Sequence, residues 1–166
     1  MSEVVSYSPI TIKRINGEIK QFMKDPPDNV KIYPNPDNIL EIFFMIKGDD
    51  DSPYKGGEYL CRLSHHPRYP LKAPDYYVLT PNGRFTTDKK ICLTNSAYHQ
   101  GEWAPAAWNL LTLLNGFHSI WHSTISDDKV GISHLKSSDE VINKLAEESV
   151  GFNKTKLSEI NNFFLQ

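Results

Sequence analysis

Four short apolar runs between residues 30 and 80 are joined by connections that leave little choice of topology. Val30 to Tyr33 and Ile39 to Ile46 are separated by PNPDN, and Tyr59 to Leu63 follows the acidic turn GDDDSPYKGG. Clusters of Gly, Pro, Asn and Asp of this kind end strands. A parallel neighbour would need a long crossover, whereas short polar connections join antiparallel ones. The spacing therefore predicts an antiparallel meander. YYVLT, after HHPRYPLKAP, supplies its fourth strand, and the prolines before it make that connection rigid and exposed.

Helical spacing flanks this sheet. From Ile10 to Lys24, the apolar Ile15, Ile19, Phe22 and Met23 alternate with Lys13, Arg14, Glu18, Lys20 and Lys24, an amphipathic helix that must stop at DPPD. From Pro81 to Pro105 no period is sustained, and an irregular segment of that length inside a compact domain is usually functional or disordered. Ala106 to His122 is helical again, through Trp108, Leu111, Leu114 and Ile120. SSDE at 137 to 140 has the form of a capping box and opens a third helix, and a fourth is predicted from about Thr155 to Phe164. Helix, four-stranded meander, long irregular segment and C-terminal helices define one α+β domain over residues 1–166.

Composition removes several functions. A net charge of -2, with the lysines scattered along the chain, offers no electrostatic footprint for nucleic acid. Two cysteines, Cys61 and Cys92, and no basic then apolar leader at Met1 point to free thiols in a reducing compartment. The most apolar stretch, AWNLLTLLNGF, is too short to cross a bilayer core of about 30 Å.

Few residues carry recognisable chemistry. His118 and His122 would share one helix face, a spacing zinc sites use, but the glutamate of the protease motif is missing and a lone pair favours packed or surface histidines. His65 and His66, as strand neighbours, would point to opposite faces. The acidic triplet of GDDDSPYKGG lacks the spacing of a calcium loop and reads as a solvated turn. Cys61 sits in a strand beside Leu60 and Leu63 and reads as a small apolar filler. Cys92 follows Lys89 and Lys90 in a polar segment, conditions that favour a thiolate; from the residues alone, a reactive thiol and an ordinary loop cysteine remain equal alternatives.

TPNGRFTTDKKICL, with Asn82 ten positions before Cys92, resembles the active-site segment of ubiquitin-conjugating enzymes. YPNPDNILEIFFMIKG, SPYKGGEY, HPRYPLKAP and EWAPAAW occur in that family's order, so the likeness covers roughly residues 9 to 155. TPNGRF is similar to the branch associated with degradation at the endoplasmic reticulum, whose better-known members carry a C-terminal membrane anchor; the chain ends at Gln166 without one. The resemblance implies a monomeric transferase that accepts ubiquitin from an activating enzyme as a Cys92 thioester. It then delivers ubiquitin to lysine, or to serine or threonine, of a protein substrate, usually with a ligase. No cofactor is expected on the chain, because ATP and magnesium are used by the activating enzyme. The implied location is cytoplasmic, at the cytosolic face of the endoplasmic reticulum if a tail was removed.

The same resemblance assigns site residues. Asn82 would steady the oxyanion or brace the loop beside the cysteine, and Thr80 replaces a largely structural histidine. His99 corresponds to a histidine of the same branch and would be either a general base or an exposed loop residue. Asp127 and Asp128 stand where other members carry an acidic gate. A patch made by Lys13 and Arg14, by Arg68 and Tyr69, and by Trp103, Pro105 and Ala106 would receive the ligase and part of the activating enzyme. Three rivals remain: a silent adaptor of the same fold, a conjugating enzyme for another ubiquitin-like modifier, and a Cys-His thiol hydrolase.

Overall fold

A computed structural model describes residues 8–91, 103–122 and 134–160. Helix α1 spans Pro9–Lys24, strands β1 to β4 span Val30–Pro34, Glu41–Lys47, Glu58–Ser64 and Asp75–Val78, and helices α2 and α3 span Leu110–Trp121 and Asp139–Ile160. The strands lie in sequence order and every neighbouring pair is antiparallel, as the connections predict. The register is fixed by the core face: Ile32 opposes Phe44, Phe44 opposes Cys61, and Cys61 opposes Val78. A slip of one residue would turn these side chains out of the core.

The main core lies between that sheet face and α2. Leu110, Leu113, Leu114, Phe117 and Trp121 form the buried stripe of α2. Phe117 stacks on Tyr76 at 5.0 Å and on Phe85 at 5.5 Å, and meets Phe44 edge-on at 5.7 Å. Ile15 and Phe22 of α1 close the same cluster. Cys61 is wholly buried within it, and burial pushes its thiol pKa well up, which makes it an inert filler.

On the opposite face Phe43, Leu60 and Leu79 pack with Tyr33, Met45 and Leu157, the last from α3. The buried positions Ile142, Ala146, Ser149 and Asn153 recur every three or four residues along α3. Its polar members are bonded. Ser149 Oγ accepts from Glu58 N at 2.9 Å, and Asn153 Nδ2 donates to Glu58 O at 2.7 Å. Such bonds let a weakly apolar helix cover β3 without leaving polar groups unpaired.

Several boundaries differ from the sequence reading. The third and fourth predicted helices are one, α3, because no proline interrupts it and Ser149 and Asn153 continue its buried stripe. It begins at Asp139, and Ser138 rather than Ser137 supplies the capping hydroxyl, accepting from Val141 N at 3.3 Å. Helix α2 begins at Leu110 rather than Ala106. Asn109 caps it, exchanging bonds with Thr112 in a reciprocal box. In α1 Glu18 is buried and Met23 exposed, the reverse of the expectation. Glu18 accepts from Arg14 Nε at 2.7 Å and from the Tyr69 hydroxyl at 2.8 and 2.9 Å, which compensates its burial.

His65 and His66 are not strand neighbours as expected but follow the end of β3: His65 is buried, bonded through Nδ1 to Leu40 O at 3.0 Å, and His66 is exposed. Burial lowers the His65 pKa to about 4. The unfolded chain then takes up a proton near the ordinary value of about 6.5 that the folded chain refuses. Stability should be complete above about pH 6.5 and decline toward pH 4, by ~3 kcal/mol at most. Urea unfolding across that range should show this slope in the wild type and a shallower one in His65→Gln.

Candidate active site

The segment that follows β4 turns back beside it. Leu79 N donates to Leu60 O at 2.8 Å, Asp88 N to Val78 O at 2.9 Å, and Ile91 N to Tyr76 O at 3.1 Å. Val78 and Thr87 form a parallel bridge. Ile91 is buried, so the backbone is pinned at the position immediately before Cys92. Lys89 and Lys90 are exposed, and Lys90 lies 3.5 Å from Asp75, a surface pair that contributes little to stability. Cys92 and His99 lie outside the described residues, as do Asp127 and Asp128.

Asn82 is 1% exposed and uses every valence of its amide. Nδ2 donates to Thr80 O at 2.9 Å and to Phe85 O at 3.1 Å. Oδ1 accepts from Arg84 N and Phe85 N, both at 2.7 Å. An amide side chain has two donors and two acceptor lone pairs, and all four are directed into its own turn. To stabilise an oxyanion, Nδ2 would have to abandon a buried carbonyl.

The turn around Asn82 is fastened on three sides. Gly83 has φ 84°, and a Cβ there would meet Ile142 Cγ1 and Ser137 at 3.2 Å, so glycine answers both backbone and space. Phe85 enters the core against Phe117 and Trp121. Arg84 is buried beneath the segment before α3: Nη1 contacts His134 Nδ1 at 2.8 Å, Nη2 donates to Ile120 O at 3.2 Å, and Leu135 N returns a bond to Arg84 O at 2.8 Å. Burial lowers the Arg84 pKa.

Thr80 is wholly buried and connects three elements. Its hydroxyl donates to Asn153 Oδ1 at 2.5 Å and accepts from Leu60 N at 2.8 Å. Helix α3 therefore holds Thr80, and Thr80 O holds the Asn82 amide. Sequence analysis did not identify Asn153; the signal was a polar residue on the stripe of Ile142 and Ala146.

The expected partner patch divides into surface and support. Lys13, Arg68 and Ala106 are exposed, and Arg14 and Pro105 half-buried. Tyr69 is wholly buried, so it cannot offer a ring to a partner as predicted; burial and then Glu18 raise its pKa. Trp103 is also buried, donating Nε1 to Pro70 O at 2.7 Å and stacking on Trp108. Arg14 donates Nη2 to Pro105 O at 3.1 Å and Trp108 O at 2.9 Å, fastening α1 to the segment before α2. Thr11 Oγ1 lies 2.7 Å from Tyr69 O, so the proline-rich loop is docked on α1 as well.

A consecutive antiparallel meander between an N-terminal helix and two C-terminal helices is the α+β arrangement expected from the sequence, and the fastened Asn82 turn lies beside its last strand. A family model described as ubiquitin-conjugating enzyme matches residues 14–148, and the chain belongs to that family. It is 36% identical over 143 residues to "Ubiquitin-conjugating enzyme E2 J2-like" of Dictyostelium discoideum, covering 86% of this chain and 81% of that one. To "Ubiquitin-conjugating enzyme E2 6" of Saccharomyces cerevisiae it is 38% identical over 141 residues, covering 85% of this chain and 54% of the yeast one. "Probable ubiquitin-conjugating enzyme E2 33" of Arabidopsis thaliana is 34% identical over 142 residues, with 86% and 56% covered. The chain thus spans about half the length of the yeast and plant relatives. No helix among the described residues is long and apolar enough to cross a membrane.

Proposed function

We propose that the protein accepts ubiquitin from an activating enzyme as a thioester on Cys92 and transfers it to a protein substrate, usually with a ligase. The observation that carries the reading is the buried Asn82 turn, whose far end pins Ile91 to Tyr76 at the residue preceding the thiol. The Cys92 thiolate attacks the carbonyl of the ubiquitin ester carried by the activating enzyme, the bond to that enzyme breaks and its thiolate leaves, and the new thioester divides one difficult acyl transfer into two easier ones. The role of Asn82 is to brace the loop, since its donors already serve Thr80 O and Phe85 O. Lys13, Arg14, Arg68, Pro105 and Ala106 present the partner patch, with Tyr69 and Trp103 supporting it from beneath. The chain works as a monomer in the cytoplasm, at the cytosolic face of the endoplasmic reticulum where a longer form carries an anchor. That location follows the branch to which TPNGRF is similar.

Incubation with activating enzyme, ATP and magnesium tests this function: ubiquitin should charge the chain, in preference to other ubiquitin-like modifiers offered with their own activating enzymes. Failure to charge with any of them would remove the transferase reading. His99 is the general base toward an incoming amine or hydroxyl in this scheme. Discharge of the charged protein onto free lysine, serine and threonine should slow in His99→Ala, most for the hydroxyl acceptors. An unchanged rate and preference would exclude His99 from the mechanism.

A further inference from the structure

The two histidines on α2 acquire a third partner from a distant part of the chain. Asp49, at the start of the acidic β2–β3 connection, places Oδ1 at 3.1 Å from His118 Nε2 and Oδ2 at 3.8 Å from His122 Nδ1. One nitrogen of each imidazole and one carboxylate oxygen lie within 4.8 Å of one another. The histidine side chains are 13% and 11% exposed and Asp49 is 37% exposed, so the cluster is lined by protein and open on one side.

Two polar groups converge on one ring nitrogen: His118 Nε2 lies 3.1 Å from an Asp49 carboxylate oxygen and 3.0 Å from the Asn29 side-chain amide. A bound cation gives the nitrogen and carboxylate lone pairs a common target. His122 would contribute Nε2 at the expense of the bond from Asp49 N at 3.1 Å, with Nδ1 still donating to His118 O at 2.9 Å.

We propose that Asp49, His118 and His122 bind a divalent ion of the zinc class, clipping the β2–β3 connection to the C-terminal end of α2. Two imidazoles and one carboxylate suit a borderline ion such as zinc, and the open side leaves a position for water. Placed at the end of α2, the ion also meets the negative end of the helix dipole. This site is independent of the transferase reading and persists whether or not Cys92 carries ubiquitin.

Calorimetric titration of the full chain with Zn2+, and of the Cys92→Ser chain to remove the second thiol, should show one ion bound per chain. His118→Ala, His122→Ala and Asp49→Asn should each weaken binding by at least about tenfold. Co2+ should give visible d–d absorption without a thiolate charge-transfer band. Because Asp49 lies on a partly exposed turn, Asp49→Asn should keep the native circular dichroism and decide the matter if a histidine variant misfolds. No saturable binding, binding unchanged in the folded variants, or a thiolate band would overturn the site. Those results would leave only a polar contact between Asp49 and the two histidines.

Discussion

Asn82→Ala should destabilise the folded chain by on the order of 3 kcal/mol, because four bonds in a buried turn disappear and the groups left behind find no water. The loss should appear in urea unfolding without ubiquitin. Charging of Cys92 and discharge to a nucleophile should fall together, and amides between Thr80 and Ile91 should exchange faster. Asn82→Asp should do no better, since it keeps the acceptor but sets a carboxylate against Thr80 O and Phe85 O. An oxyanion donor predicts another pattern: near-normal stability and charging, with only acyl transfer slowed, by about 2.7–4 kcal/mol in the barrier. Both patterns slow discharge, but only the bracing role lowers stability and charging, so urea unfolding and single-turnover charging distinguish them.

Phe85→Ala should have an equal or larger effect, about 3–5 kcal/mol, through the cavity left between Phe117 and Trp121. The position has functional interest because Phe85 N and O both bond Asn82, so the ring holds in the core the residue on which that amide leans. Charging should be lost at temperatures where circular dichroism still reports folded helices. Phe85→Leu, which fills most of the volume, should restore a large part of both stability and charging. Equal stability loss with untouched charging would show that the Asn82 turn keeps its shape without its core anchor.

Both expectations depend on features of unequal visibility in the sequence. The meander was legible because turn residues and alternating apolar runs act over short distances, and the register follows once one face is buried. Helix α3 was divided in two because its second half buries Ser149 and Asn153, whose fitness depends on the free backbone groups of Glu58 across the sheet. Glu18 was placed outside for the same reason: its compensating hydroxyl belongs to Tyr69, fifty-one residues away. Helix α2 starts at Leu110 and not at the expected Ala106 because Asn109 caps it through Thr112, a contact that apolar spacing does not display.

Around the site, sequence supplied the residues of the Asn82 turn and structure supplied their wiring. Thr80 appeared only as a replacement for a histidine; its hydroxyl proves to link β3 to α3. The pair His118 and His122 was visible as a spacing, while Asp49, far earlier in the chain in what looked like a solvated turn, was visible only after folding. The partner patch shows the converse limit. An aromatic in a proline-rich loop looks exposed, yet Tyr69 turns inward because Glu18 lies beneath it.

The most direct test of the account is the chemical nature of the bond at position 92. Activating enzyme, ubiquitin, ATP and magnesium should give the wild type one adduct that a thiol reductant removes. Cys92→Ser should give an adduct that resists the reductant and yields to mild alkali, as an oxygen ester does, and Cys92→Ala should give none. A reductant-sensitive adduct persisting in Cys92→Ala, or a folded wild-type chain that never acquires ubiquitin, would contradict it.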